Sequence, residues 1–236
     1  MAIYVTSDLH GTTLEDFLSL LEKANFTDRD WLYILGDVID RNNDGGIEIL
    51  EWLLYQPNAQ LILGNHEAML LSCAFLFDEV TEENIGKLNT EQLELLENYR
   101  LDGGEVTLKT LAKKNKEDRD TVLDILDYLR EAPLYETVSA GGKDFVLVHG
   151  GLENFRPDKK LSEYKADELI WCWPELEDEY FDDVITVFGH TPTLSFNPEM
   201  KGKILKTRTW IDVDAGVAAG CKPALLRLDD LAEFYL

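Results

Sequence analysis

Apolar residues recur along the chain in runs of three to five, and most runs stop at a glycine beside a histidine or a carboxylate. Ile3-Tyr4-Val5-Thr6 runs into Ser7-Asp8-Leu9-His10-Gly11. Trp31-Leu32-Tyr33-Ile34-Leu35 runs into Gly36-Asp37-Val38-Ile39-Asp40-Arg41, and Leu61-Ile62-Leu63 into Gly64-Asn65-His66-Glu67. Further on, Phe145-Val146-Leu147-Val148 leads to His149-Gly150-Gly151, and Val184-Ile185-Thr186-Val187-Phe188 to Gly189-His190-Thr191-Pro192. Short apolar runs bounded by turn formers predict strands. Trp210 to Gly216 and Ala224 to Leu228 predict two closing strands.

Between the early runs the period changes from strand to helix. Leu14, Phe17, Leu18 and Leu21 recur at helical spacing, and Thr12 with Glu15 predicts a capping box. Ile47, Leu50 and Leu54 predict a second helix, stopped by Pro57-Asn58. The first third therefore reads strand, helix, strand, helix, strand, the signature of an α/β domain. Residues 78–131 carry no strand pattern and hold Val122, Ile125, Leu126 and Leu129 at helical spacing, which predicts a helical insert over the sheet. Such an insert serves as a cap over a site or as plain cover for the core. The length of 236 residues suits one domain over residues 1–236.

Composition narrows the function classes. Hydrophobic residues make up 45%, as in a globular protein. The formal net charge of -24 repels nucleic-acid phosphates and anionic lipid headgroups, so neither is an expected partner. An anionic substrate would need a local positive spot. Residues 1–6 lack a basic leader, and Cys73, Cys172 and Cys221 are odd in number with no CxxC. Reduced thiols in a cytoplasmic protein are expected.

The chain has four histidines, His10, His66, His149 and His190, and each follows a strand-like run with a glycine within two residues. The carboxyl ends of strands are where open α/β sheets place their ligands. Asp8, Asp37, Asp40, Asn65 and Glu67 add oxygen ligands or proton carriers at the same strand ends. Imidazole, carboxylate and amide oxygen without thiolate suit first-row divalent ions. The donors outnumber the needs of one ion and suit two that share a carboxylate.

These blocks, taken in order, resemble the signature of the calcineurin-like metallophosphoesterases: Asp8-x-His10-Gly11, Gly36-Asp37-x-x-Asp40-Arg41, Gly64-Asn65-His66-Glu67, His149-Gly150-Gly151 and Gly189-His190-Thr191. Within that superfamily they look like the bacterial Ser/Thr protein phosphatase branch, where Gly103-Gly104-x-x-Thr107 also has a counterpart. The resemblance implies a β-sandwich of two mixed sheets flanked by helices, with the site at one edge. It implies two divalent metal ions, with Mn²⁺ favoured and Fe or Zn as alternatives. Asp8 and His10 would hold the first ion, Asp37 would bridge, and Asn65, His149 and His190 would complete the second. His66 would be the general acid, oriented by Asp40, and Arg41 would clamp the phosphate. A metal pair about 3.5–4 Å apart makes hydroxide from water and stabilises charge on in-line attack. With Arg41 it would also supply the positive spot in an acidic surface.

The chain departs from the branch at two places. Asn42 stands where the family usually has glycine, and Trp173 where the branch carries a second phosphate-binding arginine, for which Arg156 is the candidate replacement. Trp171 and Trp173 are expected as core or rim packing. The leading expectation is a hydrolase of phosphomonoesters, on phosphorylated protein or a small phosphoester. Two alternatives stand beside it: a dinucleoside-polyphosphate or other small-molecule phosphohydrolase, and a non-catalytic binding scaffold. Against the first, such enzymes usually carry Asp where Glu67 stands and lack the Asp40 pairing. Against the second, none of the ligand or dyad positions is lost.

Overall fold

The computed structural model describes residues 1–78 and 88–236, so the start of the predicted insert, residues 79–87, lies outside the described residues. Two five-stranded mixed sheets face each other. In the first, β1 (Ile3–Thr6), β2 (Trp31–Ile34) and β3 (Ala59–Leu61) run parallel. The chain end adds β9 (Ala224–Arg227) and β10 (Ala232–Tyr235) antiparallel on the other side of β1, giving the order β10-β9-β1-β2-β3. In the second, β5 (Lys143–Val148), β6 (Val184–Phe188) and β8 (Trp210–Asp212) are parallel. The edges are antiparallel β4 (Tyr135–Ala140) and β7 (Leu205–Lys206), and the order is β4-β5-β6-β8-β7. The two mixed sheets expected from the resemblance are therefore present.

Both faces of the central strands are buried, which is why their sequences read as continuous apolar runs instead of alternating ones. Ile3, Val5, Tyr33 and Leu35 point between the sheets and pack with Phe145, Leu147, Val187, Ile211 and Leu226. Tyr4, Leu32 and Ile34 point the other way, into a cluster built by α1 (Leu14–Lys23), α2 (Ile47–Leu54) and α6 (Arg119–Glu131). Each fully buried aliphatic side chain there is worth about 1.5–3 kcal/mol. The apolar stripe predicted for α6 is met: Val122, Ile125, Leu126 and Leu129 are all buried in this cluster. A third cluster, with Phe188, Trp210, Leu169 and Ile170, covers the outer face of the second sheet.

One local expectation is corrected, and two features lay outside the sequence pattern. The cap of α1 is Thr13, whose hydroxyl accepts from Asp16 N at 3.2 Å, and not Thr12. The Thr12 hydroxyl donates instead to Leu9 O at 2.6 Å, inside the turn that follows β1. The break after Leu61-Ile62-Leu63 is the start of a helix, α3 (Asn65–Ser72), with Gly64 at its N-cap. Strands β4, β7 and β10 escaped the pattern because they lie at sheet edges and are only partly buried. The insert contains α4 (Thr90–Tyr99), a wide helical turn at Arg100–Gly104 and α5 (Glu105–Glu117) before α6. Short α7 (Ala166–Ile170) and α8 (Thr193–Phe196) complete the chain. Among the described residues, no helix is long and apolar enough to cross a membrane.

Candidate active site

The loops after β1, β2, β3, β5, β6 and β8 meet at one edge of the sandwich, and all four histidines stand there. The sheet registers dictate this. Parallel pairing of β1 with β2 and of β5 with β6 brings their carboxyl ends side by side. The β1 and β2 loops are then stitched together by Asp8 N to Gly36 O at 3.1 Å and His10 N to Asp37 O at 2.9 Å. Gly189 N donates to His149 O at 2.8 Å, joining the β5 and β6 loops. The glycines are there for close approach. A Cβ at Gly64 would collide with the Asp37 carboxylate, and one at Gly189 with the Asp8 carboxylate.

The backbone at the site is strained. Asp8, His10, Asp37, Asp40, Arg41 and His190 all have positive φ, between 41° and 78°. Each such non-glycine residue costs about 1–3 kcal/mol, and such strain gathers at functional sites. It turns the side chains inward, and Asp8, His10, Asp37, Asp40, Asn65, His66 and His149 are all buried.

Two groups of donors share one carboxylate. His10, Asp37 and His66 offer ligand atoms within 4.8 Å of one another, and so do Asp37, His149 and His190. Asp8 joins the first group, with Oδ1 3.7 Å from His10 Nε2. Its other oxygen is occupied, accepting from Ser7 Oγ at 2.5 Å and His190 N at 2.8 Å. His10 Nδ1 lies 3.1 Å from Ile39 O and His149 Nδ1 2.6 Å from Leu35 O. Those carbonyls accept the Nδ1 protons and leave each Nε2 lone pair facing the site, the usual outer-shell arrangement for a metal-binding imidazole.

The donor set fits divalent cations on three observations. His149 Nε2 and Asn65 Oδ1 stand 2.8 Å apart, two lone-pair atoms that a cation would satisfy together. His190 Nε2 is buried without a hydrogen-bond partner among the described residues. Burial, with the neighbouring His149 and His66, holds His190 down at about 2, and burial first, then His66, holds His10 well below its ordinary value. Both imidazoles are therefore neutral, as ligands must be. Burial, then the charge of Asp37, raises Asp8 to about 6. Carboxylates crowded in this way call for a counter-charge.

His66 is placed differently. Its Nδ1 is 2.6 Å from Asp40 Oδ2, and its Nε2 faces Arg41 Nη2 at 3.1 Å, with Asp37 Oδ2 at 3.8 Å. Burial opposes its charge, but Asp37 and Asp40 outweigh burial and carry its pKa to about 9. Arg41 also reaches Asp102 Oδ1 at 3.3 Å. A cavity of about 350 Å³ opens here, lined by His10, Asp37, Arg41, Asn65, His66 and His190, with Trp171, Trp173 and Asp214 on its walls. Trp171 and Trp173 pack edge-on to His190 at 5.9 and 5.8 Å and are 42% and 61% exposed, so they form a rim. Arg156 is exposed and is not among the residues that line this cavity.

Several participants were not singled out from sequence. Asp214, buried on the cavity wall, is pushed well above the carboxylate range by burial and by Asp8. Tyr99 and Thr107, from the insert, both donate to Asp40 Oδ1. Thr107 carried a signal in the Gly103-Gly104-x-x-Thr107 block; Tyr99 carried none.

Sequence and structure comparisons agree on the class. The calcineurin-like phosphoesterase family model matches residues 1–214, and the chain belongs to that family. Among curated relatives, a symmetrical bis(5'-nucleosyl)-tetraphosphatase from Acidovorax sp. (strain JS42) is 26% identical over 208 residues, covering 86% of this chain and 61% of the relative. One from Actinobacillus succinogenes is 38% identical over 172 residues, covering 70% of this chain and 49% of the relative. The chain thus spans about half to three fifths of the length of these two relatives. A crystal structure provisionally assigned as a diadenosine tetraphosphatase shares the fold, with a TM-score of 0.60 at 16% identity over 100% of this chain and 92% of that one. A protein serine/threonine phosphatase from Saccharomyces cerevisiae does so at a TM-score of 0.59 and 15% identity, over 97% of this chain and 73% of that one.

Proposed function

We propose that the chain is a metal-dependent phosphohydrolase acting on phosphate monoesters with an alkoxide leaving group, phosphoserine and phosphothreonine among them. The observation that carries this reading is the 2.6 Å contact of His66 Nδ1 with Asp40 Oδ2. An alkoxide cannot leave without a proton, and a positioned general acid is worth on the order of 10²–10⁴ in rate. Asp40 fixes the imidazole so that Nε2 presents a proton towards the cavity, 3.8 Å from Asp37, where the leaving oxygen would stand.

Asp8, His10 and Asp37 would hold one divalent ion, and Asp37, Asn65, His149 and His190 the other. Bound there, the pair supplies Lewis acidity towards the phosphoryl oxygens and lowers the pKa of water. Arg41 binds the phosphate through its planar fork, exchanging its contact with His66 Nε2 for a substrate oxygen. Trp171 and Trp173 shield the His190 side of the cavity from water.

A second reading is hydrolysis of a dinucleoside polyphosphate, and the comparisons favour it over the phosphoprotein reading, since the curated relatives named above carry that activity in their names. An apolar groove of about 520 Å³, walled by Met69, Leu95, Leu101 and Trp171, shares Asp102 and Trp171 with the cavity and has room for a nucleoside. Against it, a nucleotide phosphate is a weak base that leaves without a proton, so the His66–Asp40 pair would have little work.

The test is Mn²⁺-loaded protein, parent and His66→Asn, on a phosphothreonine peptide and on diadenosine tetraphosphate. The first reading expects peptide turnover that His66→Asn cuts by about 10²–10⁴. Faster turnover of the dinucleotide, insensitive to His66→Asn, establishes the second.

A further inference from the structure

The Asp40 carboxylate is fully buried, and its two oxygens are divided between two tasks. Oδ2 faces His66 Nδ1 at 2.6 Å. Oδ1 accepts from Tyr99 Oη at 2.7 Å and from Thr107 Oγ1 at 2.5 Å. Thr107 Oγ1 also accepts from Asp40 N at 3.1 Å, so one hydroxyl clasps Asp40 at both its main chain and its side chain. Tyr99 and Thr107 are themselves buried, and burial with the adjacent Asp40 charge keeps the Tyr99 phenol protonated and donating. Among the described residues, no backbone amide donates to the Asp40 carboxylate; both donors to Oδ1 come from side chains of the helical insert.

The chain between these donors is built to let them in. Residues 100–104 form a wide turn in which Gly103 has φ 104°. A Cβ at Gly104 would collide with the Tyr99 ring, so glycine there lets the phenol fold back under the turn. Gly103 O accepts from Arg41 N at 3.1 Å, tying the same turn to the residue after Asp40.

We propose that Tyr99 and Thr107 are positioning residues for proton delivery. By holding Oδ1 they fix the plane of the Asp40 carboxylate, so that Oδ2 alone meets His66 and the imidazole is locked with Nδ1 protonated and Nε2 towards the leaving group. The helical insert is then a working part of the active centre as well as a cover for the core. This rests on the general-acid reading of His66 for its kinetic consequence, but not for its structural one.

The experiment has two readouts. With four histidines in the chain, ¹⁵N-histidine spectra of Zn²⁺-loaded protein resolve each imidazole, and His66 is assigned by its disappearance in His66→Asn. At a pH high enough to leave its imidazole neutral, the parent and Thr107→Ser, which keeps the hydroxyl, are expected to show a single Nδ1–H tautomer for His66. Tyr99→Phe with Thr107→Val is expected to show a tautomer mixture, with two ions still bound per chain. In turnover of aryl phosphates, the double variant is expected to lose on the order of tenfold with a phenol leaving group and little with p-nitrophenol, with KM unchanged. The single variants, each retaining one donor, give intermediate values. A His66 signal unchanged in the double variant overturns the proposal. A loss equal for all leaving groups and not rescued by Thr107→Ser also overturns it, because it marks a merely structural role. If His66→Asn shows no dependence on the leaving group, the general-acid reading fails, and the tautomer spectra still decide the positioning.

Discussion

Glu67 Oε2 accepts from Asp37 N at 2.8 Å, tying the first turn of α3 to the loop that carries the shared carboxylate. The same side chain accepts from Val38 N at 2.9 Å and from Gly64 N at 3.2 Å. It sets the distance between Asp37 and Asn65 without facing the cavity itself. Glu67→Ala would leave these buried amides without acceptors, at about 1–3 kcal/mol for an orphaned group. We expect a lower unfolding midpoint in urea together with weaker Mn²⁺ binding by calorimetry. Unchanged metal affinity would show that the loop holds Asp37 in place unaided.

Asp37 stands in both donor groups, 3.4 Å from His149 Nε2 and 3.9 Å from His10 Nε2. Asp37→Asn keeps the shape and removes the charge that two cations would share. At least one metal position should empty when ions per chain are counted by mass spectrometry of the native protein. Two ions retained at parental affinity would contradict a bridging role.

The metal-stripped protein should lose stability as pH rises from 6.5 to 9. Burial and Asp37 raise Glu67 to about 7, and the Asp37 and Asp40 charges raise His66 to about 9 against the effect of burial. Each of these groups binds more proton in the folded than in the unfolded chain over part of this window, so stability falls as the proton is drawn off. The raised His66 contributes fully below 6.5 and loses its contribution as pH passes its folded value. His10 and His190, which are lowered, oppose this only weakly, because their unfolded imidazoles are at most half protonated from 6.5 upward. Thermal unfolding at the two pH values reads the slope, and His66→Asn should flatten it. A midpoint that climbs with pH would reverse the assignment.

How much of this was visible in the sequence follows from what each residue depends on. Asp8, His10, Asp37, Asn65, His149 and His190 sit within four residues of strand ends, and strands buried on both faces announce themselves as apolar runs. Parallel pairing then does the rest, since it puts those ends together. Edge strand β4, Tyr135-Glu136-Thr137-Val138-Ser139-Ala140, has one covered face at most and a mixed sequence, so nothing in its composition marks it. Helix α3 was hidden because its cap is a glycine with no side-chain oxygen and its first residues belong to the site. Tyr99 could not be found at all. Its role comes from a tertiary contact with Asp40 across 59 positions, and a buried tyrosine on a helix reads as core.

If Arg41 binds the phosphate as proposed, Asp102 competes with substrate for the guanidinium. Its carboxylate lies 3.3 Å from Arg41 Nη2, and both side chains are partly exposed. An exposed pair of this kind is screened and easily broken. Asp102→Ala should free Arg41 and take one negative charge from the wall of an already acidic cavity. KM for an anionic substrate should fall by about two- to threefold at low salt, with kcat held, and the difference should shrink as salt screens it. A rise in KM would mean that Asp102 aims Arg41 instead of restraining it.

Gly103→Ala tests whether the insert sets the course of Arg41. At φ 104° an alanine is strained by its own backbone, and its Cβ would lie 2.9 Å from Arg41 Cγ. The neighbour is a flexible side chain, so the clash resolves by moving Arg41 sooner than by breaking the turn. Displacing the guanidinium removes its contact with His66 Nε2 and its approach to phosphate, while Asp40, Tyr99 and Thr107 keep their own hydrogen bonds. The expected result is a KM for phosphoester raised about tenfold, at a cost in stability of about 1–3 kcal/mol from the backbone. The His66 tautomer should remain as in the parent. Gly104→Ala works in the opposite order, because its Cβ strikes the Tyr99 ring and so reaches His66 through Asp40. It should lower kcat for poor leaving groups more than it changes KM. Finding the same kinetic signature for both glycine variants would show that the turn moves as one piece and that the two functions are not separately held.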